Sequence, residues 1–357
     1  MTSKTNAGNF FEDFYIGQEI THATPRTITE GDVSLYTALY GMRFSVNSSD
    51  MFAMNIGYDA APVDDFLAFH IIFGKTVADI SLNAVANLGY ANGVFGRPVY
   101  PGDTVSTRSE VIGLKENSSA KTGVVYVRSI GRNQIGEMVL DYVRWVMVNK
   151  RDSKSPAPAP VVPALAPFVA ADDLHIPDGL DLSGYDHALA GSAHVWGDYT
   201  VGEKIDHVDG MTIEDAEHMM AARLYQNTAK VHFNQHTEKE GRFGRRIIYG
   251  GHIISLARAL SYNGLGNAFR VGAINGGRHV SPTFASDTIY AWSEIVEKID
   301  LPGRDDLGAL RVRTVACKDQ PCCDFPDKDA EGKYAASVVL DFDYTILMPK
   351  SAGPVPL

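Results

Sequence analysis

The sequence predicts an α+β protein made of two like domains, each an antiparallel sheet wrapped round one central helix. Three observations carry this reading. Residues 11–47 align without a gap on 196–232, pairing Gly17 with Gly202, Ile20 with Ile205, His22 with His207, Thr27 with Thr212 and Tyr40 with Tyr225 at a constant offset of 185. Each copy is followed by one long apolar segment and then by several segments rich in Val, Ile, Tyr and Thr. Between the halves, residues 151–167 hold Pro156, Pro158, Pro160, Pro163 and Pro167.

Taken in order, residues 1–150 form the expected first domain, 151–172 a proline-rich linker and 173–357 the second domain. A chain of 357 residues exceeds a comfortable single core, whereas each half has an ordinary domain size. Residues 64–81 and 247–262 are apolar on most faces and too long for typical strands, which predicts buried helices with His70 and His252 in matching places. Strands are predicted at 94–100, 103–113, 122–130 and 138–148, and again at 279–284, 287–297, 309–316 and 336–347. Two such sheets can join edge to edge. The proline run favours extended polyproline geometry and reads as a spacer able to cross a domain's surface.

Composition bounds the function. Hydrophobic residues at 45% with mixed surface charge describe a folded soluble protein. A net charge of −11 argues against nonspecific nucleic-acid binding. No stretch approaches the ~18 apolar residues that a membrane span needs, and the start MTSKTNAGNFFEDF lacks the apolar core of a secretory leader. A cytoplasmic protein with neither membrane nor nucleic-acid partner is expected. Cys317, Cys322 and Cys323 do not make the paired spacing of a tetrahedral metal site and read as reduced thiols. Without a P-loop, zinc or dinucleotide pattern, no metal and no cofactor are expected.

At the end of the duplicated passage the halves diverge. Asn47 stands opposite His232 and Met42 opposite Asn227, so only the second copy keeps a group able to move a proton there. The segment YQNTAKVHFN, residues 225–234, resembles the motif of the MaoC-like, (R)-specific enoyl-CoA hydratase family, in which G-D-x-N-P-[ILV]-H follows an aromatic residue. Gln226 takes the place of its glycine, Asn227 of its aspartate, Ala229 of its asparagine and Lys230 of its proline, while Val231 and His232 match the aliphatic residue and the histidine. The stretches HATPRTITEGDVSLYTALYG, FGKTVADISLNAVANLGYA, VYPGDTVSTRSEVIGL and KDQPCCDFPDKDAEGKYAASVVLDFDYT carry the resemblance along nearly all of the chain. It implies a double hot-dog fold and a lyase that reversibly adds water across the double bond of a branched C5 dicarboxylyl-CoA, as used in acetate and glyoxylate assimilation. CoA would enter only as part of the substrate.

The residues support the same chemistry. Hydrating a 2-enoyl thioester needs a base for water, donors for charge developing on the thioester oxygen, and a proton returned to Cα. His232 can serve as the base near neutral pH. Asn227 can position water through its amide but cannot accept a proton, so either His232 takes both proton steps or another carboxylate such as Glu238 enters the site. The segment YGGH, residues 249–252, leads into the second apolar helix, where unpaired N–H groups could form an oxyanion hole; Gly250 and Gly251 are the candidates. The first half has PVDD, residues 62–65, in that place.

In paired domains of this kind the resemblance implies an acyl-CoA tunnel between the halves, shaped by the first. Pro62, Val63, Asp64 and Asp65, the strand at Val85, Ala86 and Asn87, and Phe95, Gly96 and Arg97 are therefore expected to face substrate. Arg97 is the choice for a second substrate carboxylate, with Arg223, Arg258 and Arg278 as competitors. Lys230, Lys239, Arg242, Arg245 and Arg246 are candidates for the CoA phosphates. Two other readings stay open on the same fold: another enoyl-CoA hydratase, dehydratase or thioesterase, or an acyl-CoA-binding module without catalysis. Self-association into a dimer is expected.

Overall fold

The computed structural model describes residues 4–351, so the outer domain limits expected at residues 1 and 357 lie outside the described residues. The first half contributes strands β1 (Glu19–Thr21), β2 (Arg26–Thr27), β3 (Ala84–Phe95), β4 (Thr104–Glu116), β5 (Thr122–Arg132) and β6 (Met138–Asn149). The second half repeats them as β7 (Lys204–Asp206), β8 (Met211–Thr212), β9 (Arg270–His279), β10 (Thr288–Asp300), β11 (Leu307–Lys318) and β12 (Val338–Pro349). They join into one 12-stranded antiparallel sheet in the order β1-β4-β5-β6-β3-β9-β12-β11-β10-β7, with β2 on β4 and β8 on β10. A buried helix lies in each half, Asp65–Thr76, continued by a π-helical turn at Val77–Ser81, and Gly250–Leu265. This is the expected α+β arrangement of two sheets, each wrapped round a helix.

The sheets meet through β3 and β9, which pair Tyr90 with Gly277, Ala91 with Gly276, Gly93 with Ile274 and Val94 with Ala273. These two strands begin about ten residues before the expected 94–100 and 279–284 and end at Phe95 and His279, so most of each expected range is not strand. The reason is crowding: a Cβ on Gly93 would come within 2.7 Å of Ile274, and one on Gly89 within 2.3 Å of the Trp145 ring. Glycines demanded by close backbone approach erase the β-branched pattern by which a strand is read.

The offset of 185 survives in three dimensions. The N-caps of the two buried helices are Asp64 and Tyr249, and Tyr40 and Tyr225 share a hydroxyl–hydroxyl bond of 2.8 Å between the halves. That offset corrects the expected pairing of His70 with His252. His70 corresponds to Ser255 and accepts or donates a 2.9 Å bond to its hydroxyl, whereas His252 lies one turn nearer its helix start and meets the Tyr40 hydroxyl at 2.7 Å. The duplicated histidines outside the motif are structural. His22 bridges Asp79 and Ser109, and His207 bridges the Asn263 carbonyl and Ser293, each tying the end of a buried helix to the strand beside the short edge strand.

One hydrophobic cluster draws on both halves, from Phe66, Phe69 and Phe73 to Ile253, Leu256 and Leu260, so the two units share a core. The proline segment does cross the first half's surface. Val161 exchanges backbone hydrogen bonds of 2.8 and 2.9 Å with Leu114, and the lack of a side chain at Gly113 makes room for Pro163. Among the described residues no helix is long and apolar enough to cross a membrane.

Candidate active site

A cavity of about 380 Å³ opens between the halves. The second half contributes Asn227, His232, Tyr249, Gly250 and His279 to its wall, and the first contributes Phe73, Ser81, Val85, Ala86, Asn87 and Arg144. Several elements converge because the motif segment follows the helix Asp215–Leu224 and folds back against the start of the second buried helix.

His232 lies in a short helix, Lys230–Phe233, and its Nδ1 is 2.9 Å from the Ile247 carbonyl. A carbonyl only accepts, so Nδ1 carries the proton and Nε2 keeps its lone pair. Desolvation lowers the imidazole pKa to about 4, partly offset by the Ile247 bond, which keeps the ring neutral at physiological pH. Asn227 is buried, and its Oδ1 accepts from the Ala229 amide at 3.2 Å. That leaves Nδ2 as the amide group without a protein partner among the described residues. Gln226, in the place of the motif's glycine, adopts a left-handed φ of 54°, as Gly41 does in the first half at 62°. Its side-chain oxygen accepts from Lys75, which ties the strained position to the first buried helix.

The start of the second buried helix has no side-chain cap. The Tyr249 amide donates to His218 Nε2 at 3.0 Å, and the following amides of Gly250 and Gly251 are the unpaired donors of the first turn. Gly250 lines the cavity, and a Cβ there would sit 2.3 Å from the His279 ring. Gly251 is buried behind it, where a side chain would strike the Tyr249 ring at 2.3 Å and His70 at 2.6 Å. Among the described residues that line the cavity there is no Asp or Glu. Glu238 lies outside the wall, in the short helix Gln235–Glu238.

The remaining expected site residues divide. Val85, Ala86 and Asn87 line the cavity. Pro62, Val63, Asp64, Asp65, Phe95 and Gly96 do not; they lie round the equivalent start of the first helix, where burial raises the Asp64 pKa and pushes that of Asp65 up to about 6. A pseudo-two-fold pair has two such helix starts, and the sequence alone does not tell which of them opens. Arg97 is also away from the wall, its side chain 42% exposed and facing Glu137 at 3.6 Å and Asp178 at 3.5 Å. Of the phosphate candidates, Arg242 lines the cavity beside Phe243 and Arg245 stacks 3.8 Å over Phe284. Arg246 is ion-paired with Asp215, and Lys230 and Lys239 are exposed outside the wall.

Sequence reasoning missed His279, Tyr90, Tyr249 and Arg144 at the wall. His279 Nε2 meets the Tyr90 hydroxyl at 3.1 Å, and burial first, then the nearby His232, lowers its pKa to about 4. Tyr90, Arg144 and His279 come from strands outside the duplicated passage and Tyr249 from the cap of the second buried helix, although the inward parity of Arg144 on β6 was readable.

A family model described as mesaconyl-CoA hydratase matches residues 2–324. The β-methylmalyl-CoA dehydratase of Chloroflexus aurantiacus is 67% identical over 350 residues, covering 98% of this chain and 99% of that one. The solved structure of a MaoC domain dehydratase from Chloroflexus aurantiacus superposes with a TM-score of 0.96 at 66% identity, over 98% of this chain and all of its own. A Mycobacterium tuberculosis protein with a double hotdog fold superposes at 0.75 with 24% identity, over 96% of this chain and 98% of that one, a likeness of fold alone. The sequence, the double hot-dog architecture and the retained histidine agree, and the chain belongs to the mesaconyl-CoA hydratase family.

Proposed function

We propose that the chain is a hydro-lyase that reversibly hydrates mesaconyl-CoA to β-methylmalyl-CoA, with His232 moving both protons. The observation that carries the mechanism is a neutral imidazole, its tautomer fixed by the Ile247 carbonyl, in a cavity whose described wall has no carboxylate. His232 Nε2 takes a proton from water as the water oxygen bonds to Cβ. The alkene electron pair moves through Cα to the thioester oxygen, which the Gly250 and Gly251 amides stabilise. The resulting imidazolium returns its proton to Cα as the thioester carbonyl re-forms. Asn227 Nδ2 orients the water through its oxygen. The absence of an Asp or Glu at the wall favours a single proton carrier over a histidine–carboxylate pair.

The acyl chain is read as lying between Val85, Ala86 and Asn87 on one side and Gly250 on the other, with the nucleotide end of CoA at Arg242 and Arg245. A homodimer, a cytoplasmic location and a place in acetate and glyoxylate assimilation belong to the same reading, as does catalysis without an added cofactor. Incubation with mesaconyl-CoA, following loss of enoyl-thioester absorbance beside release of free thiol, tests it. Hydration without thiol release is expected. Thiol release would mark a thioesterase, and binding without turnover a non-catalytic module.

A further inference from the structure

Arg144 lines the cavity from the first half and is fully buried. It stands on β6 in alternation with Leu140, Tyr142, Val146 and Val148, all buried, so a guanidinium occupies a core position of the strand. Its Nη2 donates to Thr76 Oγ1 at 2.8 Å and to Ser81 Oγ at 3.4 Å, and its Nη1 reaches Asn87 Oδ1 at 3.4 Å. The Phe73 ring lies 4.3 Å beneath it. All of these partners are neutral. Among the described residues no carboxylate forms an ion pair with it, and its Nε and the Nδ2 of Asn87 are buried donors without an acceptor. A charge withdrawn from water without an opposite charge is strongly unfavourable, and desolvation lowers even the arginine's pKa. Two orphan donors in one corner match a group rich in acceptors.

We infer that Arg144, with Ser81 and Asn87, forms the subsite that takes the second carboxylate of the substrate and so selects dicarboxylyl-CoA esters. This rests on the hydration reading above. Water adds to Cβ of a 2-enoyl thioester, and in mesaconyl-CoA that carbon also bears the carboxylate. The anion therefore lies one bond from the atom under attack and repels the incoming oxygen. A guanidinium on the carboxylate holds the alkene before His232 and draws off that charge. Parallel N–H···O bonds from Nε and one Nη would satisfy the orphan donor. Arg97, already facing two surface carboxylates, has no such need.

Calorimetric binding of two saturated esters, methylsuccinyl-CoA and 2-methylbutyryl-CoA, tests the subsite, because the second lacks the carboxylate and neither can be hydrated. The wild-type protein should prefer methylsuccinyl-CoA by about tenfold or more, the scale of a charge-assisted bidentate contact. Arg144→Met should erase that preference and reduce hydration of mesaconyl-CoA by roughly 10²-fold, with thermal unfolding as the check on folding. Should Arg144→Met not fold, Asn87→Ala keeps the test, with the preference reduced by about threefold or more as one neutral partner is lost. A variant that keeps the full preference, or loses affinity for both esters equally, overturns the subsite. A wild-type protein that prefers methylsuccinyl-CoA yet hydrates no mesaconyl-CoA upholds the subsite and overturns the hydration reading.

Discussion

The two buried helices begin at equivalent points of one repeated fold, yet only the first is capped by a side chain, and the start of the second lines the cavity. In the first half Asp64 accepts from the Phe66 amide at 2.9 Å, and Asp65 accepts from the Val271 amide at 2.8 Å. In the second half Tyr249 offers no such cap, and glycine replaces the side chains at 250 and 251. The same holds one loop away. Asn47 Nδ2 donates to the Pro62 carbonyl at 3.0 Å just as His232 Nδ1 meets that of Ile247 at 2.9 Å, so the loop's structural bond is preserved while the titratable nitrogen is gone. A fused pair keeps its architecture with either residue. The proposed hydration needs the imidazole and the uncapped helix together.

The strongest way to break this comparison is His232→Gln, which can still donate to the Ile247 carbonyl. Folding should be intact and turnover of mesaconyl-CoA reduced by roughly 10²-fold or more, and adding Asn47→His should restore nothing because Asp64 still caps the first helix. Near-normal steady-state rates in either variant contradict the assignment. Next in size is Gly250→Ala, whose methyl would lie 2.3 Å from His279; we expect roughly a tenfold loss of kcat with a lower unfolding temperature. An unchanged kcat would remove this helix start from the chemistry.

The pH profile sharpens the same contrast. With its pKa lowered to about 4, His232 is deprotonated across the neutral range, so kcat/KM should be flat from about pH 6 to 8 and fall only below about pH 5. Stability follows a related course. His207, His252 and His279 are held neutral by burial, with values lowered to about 4, 3 and 4 from an ordinary 6.5. As pH falls below about 6.5 the unfolded chain binds protons that the folded chain refuses, so stability is lost progressively down to about pH 3. Unfolding temperatures measured from pH 8 to 4 would show it, with no loss above pH 7. The smallest effect is expected for Arg97→Ala, a surface ion-pair change within ~1 kcal/mol of stability and about twofold in KM; a large rise in KM would return that arginine to the substrate.

Much of this contrast was legible in the chain. The offset of 185 placed His232 opposite Asn47 and Tyr249 and Gly250 opposite Asp64 and Asp65, and apolar length marked both buried helices. Less legible were β3 and β9, whose glycines serve a sheet junction that has no local signature, and the pairing of His70, which follows helix starts and not residue type. Arg144 lay between the two cases. Its even-numbered neighbours on β6 face the core, so its burial could be read, but the lack of a counter-ion could not.

By itself the sequence determined the duplication, the fold class and the half that has a histidine at the end of the repeated passage, because repeats and apolar periodicity are properties of neighbouring residues along one chain. Only the tertiary structure decided which helix start opens on the cavity, that no described wall residue is a carboxylate, and that an unpaired guanidinium from the first half shares the space with the histidine of the second. Those are facts of distance and desolvation between segments far apart in the chain, and they exist only once the two sheets have joined.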